Sequence, residues 1–153
     1  MSLDMYGLGT ALAGQFATVT APAGTMGGTV IRGATIEVPN NIPATPYVIV
    51  ELPSGELQYE NQGDRRFDHS FDVFFLFQMA SGDRPRDKKT MLLWLGPLLD
   101  ALHGNYKLGL GGVVMKSRTT AFEPVVASYA GDEYHAWHLT VYVSTEDVVT
   151  LVP

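Results

Sequence analysis

Residues 67–79, Phe-Asp-His-Ser-Phe-Asp-Val-Phe-Phe-Leu-Phe-Gln-Met, constrain the fold more than any other stretch of the chain. Side chains of an extended strand alternate between two faces. His69, Phe71, Val73, Phe75 and Phe77 therefore share one face, and Ser70, Asp72, Phe74, Leu76 and Gln78 share the other. The first half has one wet face and the second half has none. Such a strand belongs in the middle of a sheet, with its apolar end covered by a helix or a neighbouring subunit. Each fully buried Phe contributes roughly 1.5–3 kcal/mol, and four of them fall between residues 71 and 77.

A chain of 153 residues suits one domain, residues 1–153, of a size that buries about two thirds of the surface it exposes unfolded. The absence of cysteine excludes disulfides, thiolate nucleophiles and Cys-bearing zinc or iron–sulfur sites. Ten Lys and Arg against sixteen Asp and Glu give a net charge of −6, the wrong sign for a protein whose main affinity is for phosphate backbones. The first 31 residues carry no Lys or Arg, so the charged opening of a secretory or mitochondrial leader is not expected. The longest apolar run, Met91 to Leu99, is interrupted by Gly96 and Pro97 and is about half the length that spans a bilayer. A soluble protein without a membrane partner is expected.

In chain order, Leu8, Leu12, Phe16 and Val19 recur at helical spacing, which predicts an N-terminal helix over 1–19. Residues 20–46 are rich in Gly, Pro, Thr and Ala, with a possible strand over 29–38. Tyr47 to Leu52 reads as a strand closed by Pro53, whose missing N–H cannot continue a ladder. Residues 53–66 are polar and read as the long tip of a hairpin leading into the Phe-rich strand. Met91, Leu95, Leu98 and Leu102 repeat at four, three and four, widened by Leu92 and Leu99. They predict a second helix over 83–103, kinked or restarted at Pro97. Three strands follow, over 113–123, 125–129 and 134–144, the last two joined by the turn Ala130-Gly131-Asp132-Glu133. The order predicts an α+β domain, a largely antiparallel sheet with two main helices packed on one side.

Chemistry has little to stand on in these residues. His135 and His138 are three apart on a strand and point to opposite faces, so they cannot share a metal. His69 and His103 lack ligand spacing, and surface or edge positions are expected for the histidines. Gly109, Gly111 and Gly112 are followed by a strand, whereas a phosphate loop needs a helix N-terminus behind it. No Gly-x-Ser-x-Gly elbow is present. Neither an enzyme, nor a cofactor, nor a metal is expected.

The ordered set of features resembles the tail-terminator and tail-completion proteins of long-tailed bacteriophages, the neck proteins between head connector and tail tube. It comprises the helix ending near Val19 and the Pro-preceded strand Pro46-Tyr-Val-Ile-Val-Glu-Leu. A polar hairpin then passes through Gly63-Asp-Arg-Arg-Phe-Asp-His into the Phe-rich strand, followed by the Asp-flanked helix 83–103 and the ending Tyr134-His-Ala-Trp-His-Leu-Thr-Val-Tyr-Val. The resemblance implies a ring-forming subunit, commonly six copies, with sheets around a central channel and helices outside. Its partners would be other copies, a tail tube protein and a head connector or stopper protein, with DNA passing through unbound. It would reside in the virion neck or tail after assembly in the bacterial cytoplasm. The long connection 20–46 and Pro97 depart from the pattern. On this reading the hairpin supplies candidate subunit-interface or docking residues: Glu56, Tyr59, Glu60, Arg65, Arg66 and Phe67. Paired arginines can form bidentate ion pairs with an acidic neighbour. The alternative expectation is a monomeric or dimeric domain holding a small apolar ligand among Phe74, Leu76, Trp94 and Tyr142.

Overall fold

The computed structural model describes residues 4–22, 29–38, 41–59, 64–79, 84–110 and 114–148, with backbone alone for 56–59, 64–65, 78–79, 84–87 and 147–148. Its elements are α1 (Met5–Ala17), β1 (Gly33–Thr35), β2 (Tyr47–Val50), β3 (Ser54–Tyr59), β4 (Asp64–Met79), α2 (Arg84–Leu99), β5 (Val114–Tyr129) and β6 (Asp132–Val148). The sheet runs β1-β2-β4-β6-β5, with β3 also paired to β4. β1 and β2 are parallel, and every other pair is antiparallel. The expected α+β class is present. Among the described residues no helix is long and apolar enough to cross a membrane.

The Phe-rich strand is central, as its two-sided apolar end requires. One edge of β4 is shared by β3, opposite Arg65 to Ser70, and by β2, opposite Val73 to Leu76. The other edge is paired with β6 over almost its whole length. His69, Phe71, Val73, Phe75 and Phe77 are all buried on the helix side. There they join Leu8, Leu12 and Phe16 of α1, Trp94 and Leu98 of α2, and Trp137, Leu139, Val141 and Val143 of β6 in one apolar core. Both helices therefore lie on the same side of the sheet. Asp4 starts α1 by accepting a hydrogen bond from the Gly7 N–H at 3.0 Å, which satisfies an amide that the helix itself leaves unpaired. Gln15 near the other end of α1 donates to the Ala101 carbonyl and accepts from Asn105, tying α1 to the loop that leaves α2.

Several expected elements differ in extent. The hairpin is present, but most of 53–59 is strand β3 rather than tip, because its polar residues pair with the start of β4. Pro97 does not split α2. It sits in the last turn, and the helix ends two residues later, where the carbonyl left without a partner costs little. The buried stripe runs through Trp94 and Leu98 of α2 and continues to Leu102 in the turn beyond it, leaving Leu92 56% exposed. The strand expected over 29–38 shrinks to Gly33–Thr35, held under the Tyr47 ring where any side chain at Gly33 would collide. The strands expected over 113–123 and 125–129 are one, β5, which runs through Pro124. Among the described residues β5 pairs only with β6, and an edge strand can place a proline where its missing N–H would face solvent. The turn between β5 and β6 is Ala130-Gly131, both at positive φ, 54° and 83°, as a two-residue hairpin with the right twist requires.

The face of the sheet away from the helices is concave. Glu123 of β5 lies opposite His138, which stacks on Phe74 with ring centroids 4.7 Å apart. Tyr129, six residues further along β5, would be about 20 Å away on a flat strand. Its ring nevertheless meets Phe74 at 6.2 Å and its hydroxyl donates to Glu51 at 2.7 Å. The β5–β6 hairpin tip therefore folds back over the sheet. A second apolar cluster forms beneath it from Ile42, Tyr47, Ile49, Leu76, Ala127, Tyr134 and Ala136. The second apolar face of β4 is thus covered by the chain's own hairpin, and no neighbouring subunit is needed there.

Candidate functional site

The concave face carries a polar row along alternate residues of β6. His138 is held between two carboxylates, Nδ1 to Glu123 and Nε2 to Asp72, each at 2.8 Å. Burial disfavours a charged ring, but the hydrogen bonds and negative charges of Glu123 and Asp72 outweigh it and raise the imidazole above its usual range. A ring that donates through both nitrogens has no lone pair left for a metal or a substrate proton. Four residues along, the Tyr142 hydroxyl donates to Asp68 at 2.7 Å. That bond is the main reason the Asp68 carboxyl lies below its ordinary value, and, with burial, the reason the Tyr142 phenol lies above its own. Lys116 and Arg118 sit 5.8 and 5.5 Å from the Tyr142 ring centroid, the geometry of cation–π contacts. Among the described residues no group of three His, Asp or Glu is arranged to hold a metal ion.

His69 corrects the expectation of surface histidines. It is buried on the helix side, stacked on Phe67 at 5.7 Å, with Nε2 3.0 Å from the Thr145 hydroxyl. Burial lowers its pKa, with Asp68 opposing the shift. Spacing could not reveal either histidine's setting, since Asp72, Glu123 and Thr145 are brought in by strand register. His138 and Glu123 lie on neighbouring strands, and Asp72 is 66 residues from His138 in sequence.

The expected docking residues fall on the arm formed by β3 and the start of β4. Glu56 lies opposite Asp68, Tyr59 opposite Arg65, and Phe67 opposite Leu57. Glu60 lies outside the described residues. Arg66 and Phe67 are divided by the sheet: the Arg66 guanidinium is 3.6 Å from Asp68 on the concave side, whereas Phe67 stacks on His69 on the helix side. Arg66 and Phe67 therefore do not share a face of the sheet. The ligand lining expected of Phe74, Leu76, Trp94 and Tyr142 is likewise divided, since Trp94 packs on Phe75 beneath the helices while Phe74 and Leu76 join the cluster on the other face.

Two apolar surfaces that sequence reasoning missed lie at opposite edges of the sheet. At the β5 edge, Phe122, Pro124 and Val126 lie opposite Leu139, Trp137 and His135 of β6, and alternate positions share a face. Among the described residues neither helix covers this row, and Phe122 and Val126 are 50% and 53% exposed. Between it and α2 lies a cleft of about 440 Å³ with Trp137 and Pro124 among its lining, Met91 and Leu92 from the helix, and Lys88. The Trp137 indole N–H donates to the Met91 carbonyl at 2.8 Å, fixing helix to strand at the cleft. At the other edge, β1 stops opposite Ile49 and leaves the turn after β2 open. Leu52 stands there 89% exposed, beside Tyr6 at 64%. A notch of about 220 Å³ lies between them and Ile36, Pro53 and Phe71. The signal for the first surface was Leu92, an apolar residue off the centre of the helical stripe; for the second it was Leu52 just before Pro53.

No family model matches the chain, and no curated protein matches it.

Proposed function

We propose that the chain is a structural subunit of the neck or tail of a long-tailed bacteriophage, a tail-terminator or tail-completion protein that works as a ring. The observation that carries this reading is the open sheet with an uncovered apolar row, Phe122, Pro124 and Val126, along its outer strand. An exposed apolar patch at a sheet edge marks an interaction site. A closed ring covers every such edge at once, whereas an open edge invites disordered aggregation. The pattern of elements described above supports the same reading, with both helices on one side and the polar half of the concave face, which the β5–β6 tip does not cover, turned towards a channel. Glu51, Asp68, Asp72 and Glu123 lie on that face and are engaged by Tyr129, Tyr142 and His138. Arg66, Lys116 and Arg118 share that face, so its charge is mixed and it is not a basic surface of the kind that grips phosphate backbones. Tube protein, connector and further copies of the chain are the partners, and the role is mechanical rather than catalytic.

The reading is tested on virus particles produced from the genome that encodes the chain. Antibody-gold against it is expected at one end of the tail tube, at the junction with the head. Label spread along the tube, or particles that contain none of the protein, would refute the assignment.

A second reading is favoured by one observation: the cleft between α2 and β5 has the volume and apolar lining of a small-molecule site. On that reading an apolar ligand binds beside Trp137 and quenches its fluorescence, and the protein works as a monomer or dimer.

A further inference from the structure

We infer that the two apolar edges fit one another, so that Leu52 and Tyr6 of one copy seat in the cleft beside Leu92 and Val126 of the next. The inference rests on the ring reading and adds the contact that would build it. The surfaces are unlike: one edge is a projecting turn, with the most exposed large apolar side chain described, and the other is an apolar cleft open to solvent. An unlike pair at opposite edges makes a head-to-tail contact, and repetition of such a contact closes a ring if the rotation allows. A two-fold contact would instead need one surface that is complementary to itself.

Charge points to the same partner. Lys88 lines the cleft and Lys89 follows it on the exposed face of α2. Asp4 and Glu37 are exposed, each next in sequence to a residue lining the notch, Met5 and Ile36, and among the described residues no Lys or Arg lines it. Basic cleft against acidic turn orients the encounter and disfavours cleft-to-cleft or turn-to-turn pairing, each of which brings like charges together. The Leu52 side chain has the size to enter the cleft. Burying it with its neighbours removes apolar surface from water at both edges.

The chain has no cysteine, which gives a direct test. Leu52→Cys and Val126→Cys are made singly and together, at exposed positions where folding is not at stake, and treated with a short bis-maleimide. Each single variant alone is expected to stay monomeric on a denaturing gel. Their mixture is expected to give a dimer band, and the double variant a ladder. Adding Lys88→Glu and Lys89→Glu is expected to lose the band. Dimers from either single variant alone, or no dimer from the mixture, would overturn the contact. The solution mass of the untreated wild-type protein separates this from the ring reading. A ring without the mixed band sinks the contact and leaves the ring standing, whereas the band with a ladder that never closes supports the contact and sinks the ring.

Discussion

Phe74 and Phe75 are adjacent in sequence and lie on opposite faces of β4, so truncating each to Ala separates the two layers of the fold. Phe75 is fully buried, with its ring 4.9 Å from that of Trp94. Phe→Ala at such a site removes transfer free energy and leaves a cavity, a loss of about 3–5 kcal/mol. Phe74 is half-buried, stacked on His138 and edge-on to Tyr129. Half the burial of a Phe plus its ring contacts comes to about 1–2 kcal/mol. With a urea m-value of about 2 kcal/mol/M, Phe75→Ala should lower the unfolding midpoint by about 2 M and Phe74→Ala by less than about 1 M. Both tryptophans, Trp94 and Trp137, lie on the helix side. Native fluorescence should therefore change in Phe75→Ala and stay unchanged in Phe74→Ala, a readout independent of stability. Equal losses from the two variants, or an altered native spectrum in Phe74→Ala alone, would refute the assignment of faces.

Three further outcomes follow from named contacts. His138 has its pKa raised in the fold and His69 has its lowered, from an ordinary 6.5. The His138 contribution is full below that value and lost as pH rises through the raised one; the His69 contribution is full above 6.5 and lost as pH falls towards the lowered one. Urea unfolding as a function of pH should accordingly show stability rising more steeply with pH in His138→Gln than in wild type, and less steeply in His69→Gln. Ala130 occupies a left-handed turn position ahead of Gly131, and Asn-Gly suits that turn better than Ala-Gly, so Ala130→Asn should raise stability by about 0.5–1 kcal/mol in thermal unfolding. Trp137→Phe keeps the ring but removes the bond to the Met91 carbonyl, which should cost about 1 kcal/mol and speed hydrogen exchange in α2 relative to α1.

What the sequence made legible was periodicity, and what it hid was register and curvature. The alternation in 67–79 and 134–144 placed the two central strands and their buried faces, because one wrong step would turn every apolar side chain into solvent. The same reasoning broke β5 at Pro124, since a proline reads as a strand end unless the strand is known to be an edge. The covering of Phe74 and Leu76 by the β5–β6 tip rests on contacts between residues far apart in sequence, Phe74 with Tyr129 and Glu51 with Tyr129, which leave no local sequence mark. The docking residues were sought in the polar arm because paired Arg are conspicuous. The uncovered apolar surfaces lie elsewhere because single residues, Leu52 and Leu92, fall out of step with the elements that carry them.

Whether unlike apolar edges drive this chain into a closed ring, as proposed, is measured most directly by the solution mass from light scattering behind a sizing column, across protein concentration, with negative-stain images of each peak. A single discrete mass at a fixed multiple of the subunit is expected, with annular particles, and loss of both when Leu52→Asp or Leu92→Asp is introduced. A wild-type protein that remains a monomer at high concentration and in the presence of tail tubes would contradict it.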